Sequence, residues 1–386
     1  MDKDNVVRIK RDYRLTVISV VRTLALLGLL ILAVFSVWHY RDDFNEASVK
    51  QLIAYVKSAS YSDVVFEKYE TDMGLETICE PLGVGMAIVE SDFYHYVAGN
   101  GRMEFSHQLK YKSPVIKAQD DWALIYDSGN TAYSVVTGYA VIHKGKTQGS
   151  IITAAVSESG SYAIVSKVSG YRSGITVFSK KHKELCSWDT PSEYIMMVSL
   201  SPEGDRFVCL SVSSDGKNMI YRLTSRNTKT GELIFDNKLG YNEIYSIKHT
   251  KDGELLIFTD TCIATLGKNG KVKVQVDFNG RKPIGFSHYE QDDCMVVFDG
   301  DRIGEIYAVV YNENCKEIYN EIIYGDFRDC DCKKGTYSVL VDSRLIWKSE
   351  KGSGSAEEIN ARGVLSGADG VPILVFADSI ERLGEK

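Results

Sequence analysis

The sequence predicts an all-β protein: a β-propeller, eight blades favoured and seven the runner-up, with an N-terminal transmembrane helix. Three observations predict it. An apolar run of 24 residues stands near the start, one apolar phrase recurs eight times at intervals of 35 to 48 residues, and turn signals flank each phrase.

The run from Leu15 to Trp38 reads LTVISVVRTLALLGLLILAVFSVW, with Arg22 as its one charge. As a helix it spans about 36 Å at 1.5 Å per residue, enough for a hydrocarbon core of about 30 Å. Arg22 lies two turns in, from where its long stem reaches back to the headgroups. Arg8, Lys10, Arg11 and Arg14 crowd the near flank, whereas Arg41, Asp42, Asp43 and Glu46 follow the far one, so the positive-inside rule puts the N-terminus in the cytoplasm. A cleaved signal peptide would need small residues after a shorter apolar stretch, and Phe35, Trp38 and Tyr40 occupy those places. The expected plan is a basic cytoplasmic start (1–14), a transmembrane helix (15–38), a juxtamembrane helix or stalk (41–60) with Phe44, Ala47, Leu52, Ile53 and Val56 on one stripe, and an extracellular propeller (63–384). The protein is then integral to the cell membrane and passes it once.

The recurring phrase begins at Ala87, Ala123, Ala163, Phe207, Leu255, Met295, Ser338 and Ile373, with spacings of 36, 40, 44, 48, 40, 43 and 35 residues. Forty residues is the length of one four-stranded blade. Each phrase is nearly all apolar, as a strand buried on both faces requires. Turns such as Ser157–Gly160, Ser201–Gly204 and Thr250–Gly253 precede it, each after a short strand, and turns such as Gly99–Gly101 and Lys268–Lys271 follow. Two hairpins in series make a blade. The eighth unit is a strand short, so the strand 63–69 is expected to join 362–383 and close the ring without exposed edges.

The net charge of −7 conceals an asymmetry. Residues 1–40 hold six bases and three acids, leaving 39 bases against 49 acids, a net −10, for residues 41–386. A domain of that charge repels phosphate backbones, which argues against nucleic acid as a partner.

The basic start, the anchor at 15–38 and the stretch from FYHYVAGNGRMEF (93–105) through SPVIKAQDDWALIYDSG (113–129) resemble a family of single-pass propeller proteins of Gram-positive anaerobes, DUF5711. That resemblance covers essentially the whole chain and implies a fold and a topology, with no activity. More distantly, Thr228–Phe235 (TKTGELIF) is similar to quinoprotein-like propeller repeats, without their docking tryptophan. The single Trp188-Asp189 is WD40-like but lacks the Gly-His partner and reads as chance.

No P-loop, H-E-x-x-H, G-x-S-x-G or EF-hand pattern occurs, and the seven histidines stand apart, so neither a catalytic site, a cofactor nor a metal is expected. Of the eight cysteines the scattered ones read as small core hydrophobes, whereas Cys330-Asp-Cys332 places two thiols on one strand face, as buried thiols, a strained disulfide or a metal edge. Asp299-Gly-Asp301 with Glu305 reads as a solvated turn, and Lys351–Ser355 as a flexible loop tip. The candidate binding residues are Asp92, Asp127, Asp260, Asp299, Asp342 and Asp378, each near the end of an apolar strand, where they form an acidic rim for a basic segment or cation, or cap turns by accepting N–H bonds. The expected function is a non-enzymatic scaffold for a protein or cell-envelope partner. The alternative is a sensor or enzyme that takes a small molecule or cell-wall glycan in the central channel.

Overall fold

The computed structural model describes residues 13–39, 68–70, 77–90, 92–99, 101–240, 243–289, 293–312, 314–333, 335–349, 352–366 and 371–383. The chain divides into two compact units, Met1–Ile53 and Ala54–Lys386. In the first, α1 (Tyr13–His39) carries apolar residues all round, and its described side chains stand exposed, Leu24 at 64% and Leu30 at 65% among them. Over the described residues alone, no helix is long and apolar enough to cross a membrane. The stalk expected at 41–60 lies outside the described residues.

The second unit is a ring of eight antiparallel four-stranded sheets, which decides the count against seven. The strand β1 (Lys68–Glu70) precedes them in the chain. Blade 1 holds β2 to β5 (Ile78–Leu82, Gly85–Val89, Phe93–Val97, Met103–Gln108) and blade 2 holds β6 to β9 (Pro114–Gln119, Trp122–Asp127, Ala132–Thr137, Ala140–Lys146). Blade 3 holds β10 to β13 (Ile151–Val156, Tyr162–Ser166, Ser173–Phe178, Glu184–Thr190) and blade 4 holds β14 to β17 (Tyr194–Leu200, Arg206–Ser214, Met219–Asn227, Leu233–Leu239). Blade 5 holds β18 to β21 (Ile244–His249, Leu255–Thr259, Cys262–Leu266, Val272–Asp277) and blade 6 holds β22 to β25 (Pro283–Tyr289, Asp293–Asp299, Glu305–Asn312, Glu317–Tyr324). Blade 7 holds β26 to β29 (Phe327–Lys333, Thr336–Val341, Arg344–Ser349, Gly352–Ala356). Blade 8 is β30 to β32 (Gly363–Ser366, Pro372–Val375, Ser379–Arg382) completed by β1.

Alternation along the second strand of each blade explains why that strand is apolar throughout. In β7, Ala123 and Ile125 pack toward blade 1 while Leu124 and Tyr126 pack toward blade 3. In β15, Phe207 and Cys209 join the cluster shared with blade 3, and Val208 and Leu210 the one shared with blade 5. The described residues form eight such clusters, one per blade interface, including Met86 and Ile88 against Ile380 where blade 8 meets blade 1. A strand whose two faces both meet neighbours has no side left for polar residues. Each large side chain buried there contributes about 1.5–3 kcal/mol.

The ring closes through three residue pairs, Lys68↔Glu381, Tyr69↔Ile380 and Glu70↔Ser379, with Lys68 Nζ 3.1 Å from Glu381 Oε1. Residues 63–67 of the expected closing strand lie outside the described residues. The turns between first and second strands form as the sequence predicts. In Ser201–Gly204, Gly204 takes φ +68°, donates its N–H to Ser201 O at 2.8 Å, and lets the chain reverse without a Cβ clash.

One expectation is overturned. Gly352–Ala356 is not a loop tip but β29, the outer strand of blade 7, paired from Ser349↔Gly352 to Leu345↔Ala356. The Trp347 ring covers Gly354, and the absence of a side chain there admits it. Lys351 lies outside the described residues.

Candidate functional site

The six candidate aspartates all fall where a second strand ends, one each in blades 1, 2, 5, 6, 7 and 8. Three of them cap the loop that enters the inner strand of their own blade. Asp127, buried, accepts the N–H of Lys112 (3.0 Å) and of Ser113 (2.8 Å). Asp260 accepts the N–H of Glu243 at 3.4 Å, and Asp342, itself at φ +48°, accepts that of Asp326 at 3.0 Å. Asp92 and Asp299 are exposed, and Asp378, also exposed, accepts the Ser379 hydroxyl at 3.4 Å. Each carboxylate thus sits in its own blade at the same end of the ring.

At that end the inner strands of blades 3 to 7 share an irregularity that no residue type announces. Pairing with the second strand skips one residue after the first, leaving Ile152, Met196, Tyr245, Ile284 and Arg328 as single-residue bulges. Blades 1, 2 and 8 pair there without a shift. A bulge turns its side chain away from the ladder. Met196 is 51% exposed, Tyr245 38% and Ile284 38%. Phe286 packs beside them, its ring centroid 4.5 Å from Phe258 and 6.2 Å from Tyr245, so the exposed aromatics rest on the buried ones. Arg172 lies over Tyr194, donating to its hydroxyl at 2.8 Å. The result is an apolar crescent of Met196, Tyr245 and Ile284 at the channel mouth, across blades 4 to 6, with Ile152 packed against the core on one side and the exposed Arg328 on the other.

Below the mouth lies a cavity of about 490 Å³, lined by inner strands of blades 1 to 5. Strand register aligns one residue per blade in a single layer: Glu80, Lys117, Ala155, Ser199, Lys248, Ser287, Asp331 and Leu365. Burial pushes the Glu80 carboxyl up, Lys117 and Lys248 pull it down, and Asp331 pushes it up again. The same layer ties blades together. Asp331 accepts the hydroxyl of Ser287 at 2.5 Å and the N–H of Ser366 at 2.6 Å, and Ser199 Oγ meets His249 Nδ1 at 2.9 Å. Burial, with Arg206 nearby, lowers His249 to about 3, so it stays a neutral imidazole.

Cys330 and Cys332 are buried free thiols on the face toward blade 6, and Cys332 donates to Ser287 O at 3.4 Å. Burial raises both well above the ordinary thiol value, which keeps them protonated and unreactive. Cys209, Cys262, Cys294 and Cys315 are buried as the sequence predicts, and Cys79 and Cys186 half-buried. Among the described residues no group of three or more His, Cys, Asp or Glu is arranged to hold a metal ion. In the turn after Asp299, Asp301 is exposed and Glu305 accepts the Tyr307 hydroxyl at 2.6 Å. Trp188 lies in an outer strand under the Arg226 guanidinium, 4.8 Å away.

Fold and channel together define an eight-bladed propeller with an open, polar-lined centre. The chain belongs to a family of unknown function (DUF5711), whose model matches residues 57–358. No curated protein matches the sequence. Among solved structures it is similar to BamB from Moraxella catarrhalis (12% identity, TM-score 0.51, covering 82% of this chain and 98% of that one). It is similar also to the C-terminal WD40 domain of Sif2 (9% identity, TM-score 0.57, covering 83% and 99%). Likeness at this level of identity shows a shared fold.

Proposed function

We propose that the protein is a membrane-anchored scaffold whose propeller, outside the cell membrane, docks a protein or cell-envelope partner on the channel mouth of blades 4 to 6. The observation that carries the reading is the crescent of Met196, Tyr245 and Ile284, three apolar side chains held out of the ladder by bulges. Exposed aromatic and Met side chains on a rigid support are the usual anchors of a protein interface. Asp92, Asp299 and Asp378, exposed at the same end, add negative charge that steers a basic partner. Support for the anchor comes from residues 15–38, predominantly apolar with Arg22 as the single charge, and for its orientation from the bases that precede them.

The test is cross-linking on intact cells with the full chain and with a variant carrying Met196→Ser, Tyr245→Ser and Ile284→Ser. The reading expects the partner adduct to vanish from the triple variant while its thermal midpoint stays unchanged. An adduct of undiminished yield would rule out the mouth as the docking surface.

A further inference from the structure

The outer strand of each blade ends its sheet and leaves a row of backbone groups open to a further strand. Most of these edges carry a guard. Lys144 and Lys146 stand on β9, Lys238 on β17 and Lys273 on β21, β29 is glycine and serine but for Ala356, and β1 has only three residues. The outer strand of blade 6, β25 (Glu317–Tyr324), has no lysine, arginine, glycine or proline. With eight residues it is the longest of the outer strands. Among the described residues it is also the one outer strand to expose three large apolar side chains: Ile318, Ile322 at 49% and Tyr324 at 59%.

The register decides which groups face outward. Gly325 donates its N–H to Gly304 O at 2.7 Å, and the ladder continues through Glu305↔Tyr324, Ile306↔Ile323, Tyr307↔Ile322, Ala308↔Glu321 and Val309↔Asn320. Bonded and unbonded pairs alternate in an antiparallel ladder. Ile323 and Glu321 therefore turn their backbone groups toward β24, whereas Tyr324, Ile322 and Asn320 turn theirs to the open edge. Ile322 and Asn320 stand on the blade 5 side, because their partners Tyr307 and Val309 pack with Phe258 and Phe278, and Tyr324 follows by alternation. On that side the outer strand of blade 5 leaves Val274 exposed, two residues before the half-buried Val276.

This edge is complementary to itself. A second copy pairs with it antiparallel only about a two-fold axis through one residue, since partners across a ladder share a face. An axis through Glu321 sets that carboxylate opposite its own copy, where like charges repel. An axis through Asn320 calls on Ile318, which the pairing with β24 skips as a bulge, and one through Ile323 leaves most of the strand unpaired. The axis through Ile322 avoids all three faults. Ile322 then meets Ile322, Asn320 meets Tyr324 and Glu321 meets Ile323, while the Tyr319 hydroxyl donates to the Glu321 carboxylate on the opposite face.

We propose that β25 pairs with β25 of a second copy, antiparallel about Ile322, and so joins two sixth blades into one eight-stranded sheet. The seam goes beyond the docking reading and shares no residue with the crescent of Met196, Tyr245 and Ile284, so either fails without the other.

Sedimentation velocity of the full chain in detergent micelles, over a range of protein concentration, tests it. The parent should form a dimer whose share rises with concentration. Ile322→Lys and Ile322→Glu each set like charges opposite one another and should each be monomeric, with the melting temperature of the parent because the side chain is half exposed. An equimolar mixture of the two variants should regain the dimer, since the axis places position 322 of one copy against position 322 of the other. A dimer that survives either substitution, or a mixture that stays monomeric, overturns the proposal. A parent that is monomeric at every concentration overturns it as well and leaves the edge to a strand of another protein, and this arm requires no variant to fold.

Discussion

Blades 3 to 7 and blades 8, 1 and 2 are built alike in their second strands and differently in their first. Both arcs bury an all-apolar strand between two neighbours, with Ile257 in one and Ile88 in the other fully covered. Only the first arc carries the bulges that expose Met196, Tyr245 and Ile284. The lesson is a division of labour. What repeats in every blade holds the ring, and what departs from the repeat is available for binding.

The largest expected effects test the part that the arcs share. Ile257→Ala and Ile88→Ala should each cost about 2–5 kcal/mol, and by similar amounts, because both remove a core side chain from between two blades. Denaturant titration measures both. A much smaller loss at Ile88 would mean that the closing arc, joined by three residue pairs, is not an equal part of the ring.

Acid separates the arcs next. His249 is lowered from 6.5 to about 3, so below pH 6.5 the unfolded chain takes up a proton that the folded one refuses. Its contribution is complete above pH 6.5 and is lost as pH falls toward 3, at a slope of at most about 1.4 kcal/mol per pH unit. His249→Asn should flatten the fall of the melting temperature with acid. His95→Asn, in the plain arc, should flatten it less, since that histidine is only half-buried. Equal flattening would contradict the burial assigned to His249.

The caps come third. Asp127→Ala strands two backbone N–H groups beside a buried site and should cost about 1–3 kcal/mol, whereas Asp342→Ala, exposed and accepting one, should cost less. Thermal melts of the two variants compare them. The reverse order would show that Asp342 does more than cap.

Much of this was legible in the residues, for reasons the packing makes plain. Ala123–Tyr126 and Phe207–Leu210 read as central strands because both their faces meet neighbours, which leaves an unbroken apolar string. The aspartates were equally legible as a repeated position, and Asp127, Asp260 and Asp342 take the capping role that a repeat implies. The bulges were not, because Met196 or Ile284 becomes a bulge through its pairing partner and not through its own chemistry. Nor were Glu80, Lys117 and Lys248, single charges far apart in the chain that only ring closure assembles around one cavity. Gly354 misled in the other direction. A Gly-Ser run reads as a loop until Trp347 is seen to need the space.

The smallest expected change in stability accompanies the most direct test of the scaffold reading. A photo-reactive amino acid placed at Tyr245 or at Ile284, both in the bulged arc, is compared on living cells with one at Val115, the matching inner-strand position of blade 2. The prediction is one discrete adduct from 245 and 284, none from 115, and melting temperatures within a degree or so of the parent for the exposed positions 245 and 284, with a larger drop at the half-buried 115. Adducts of equal yield from all three positions, or from 115 alone, would contradict it.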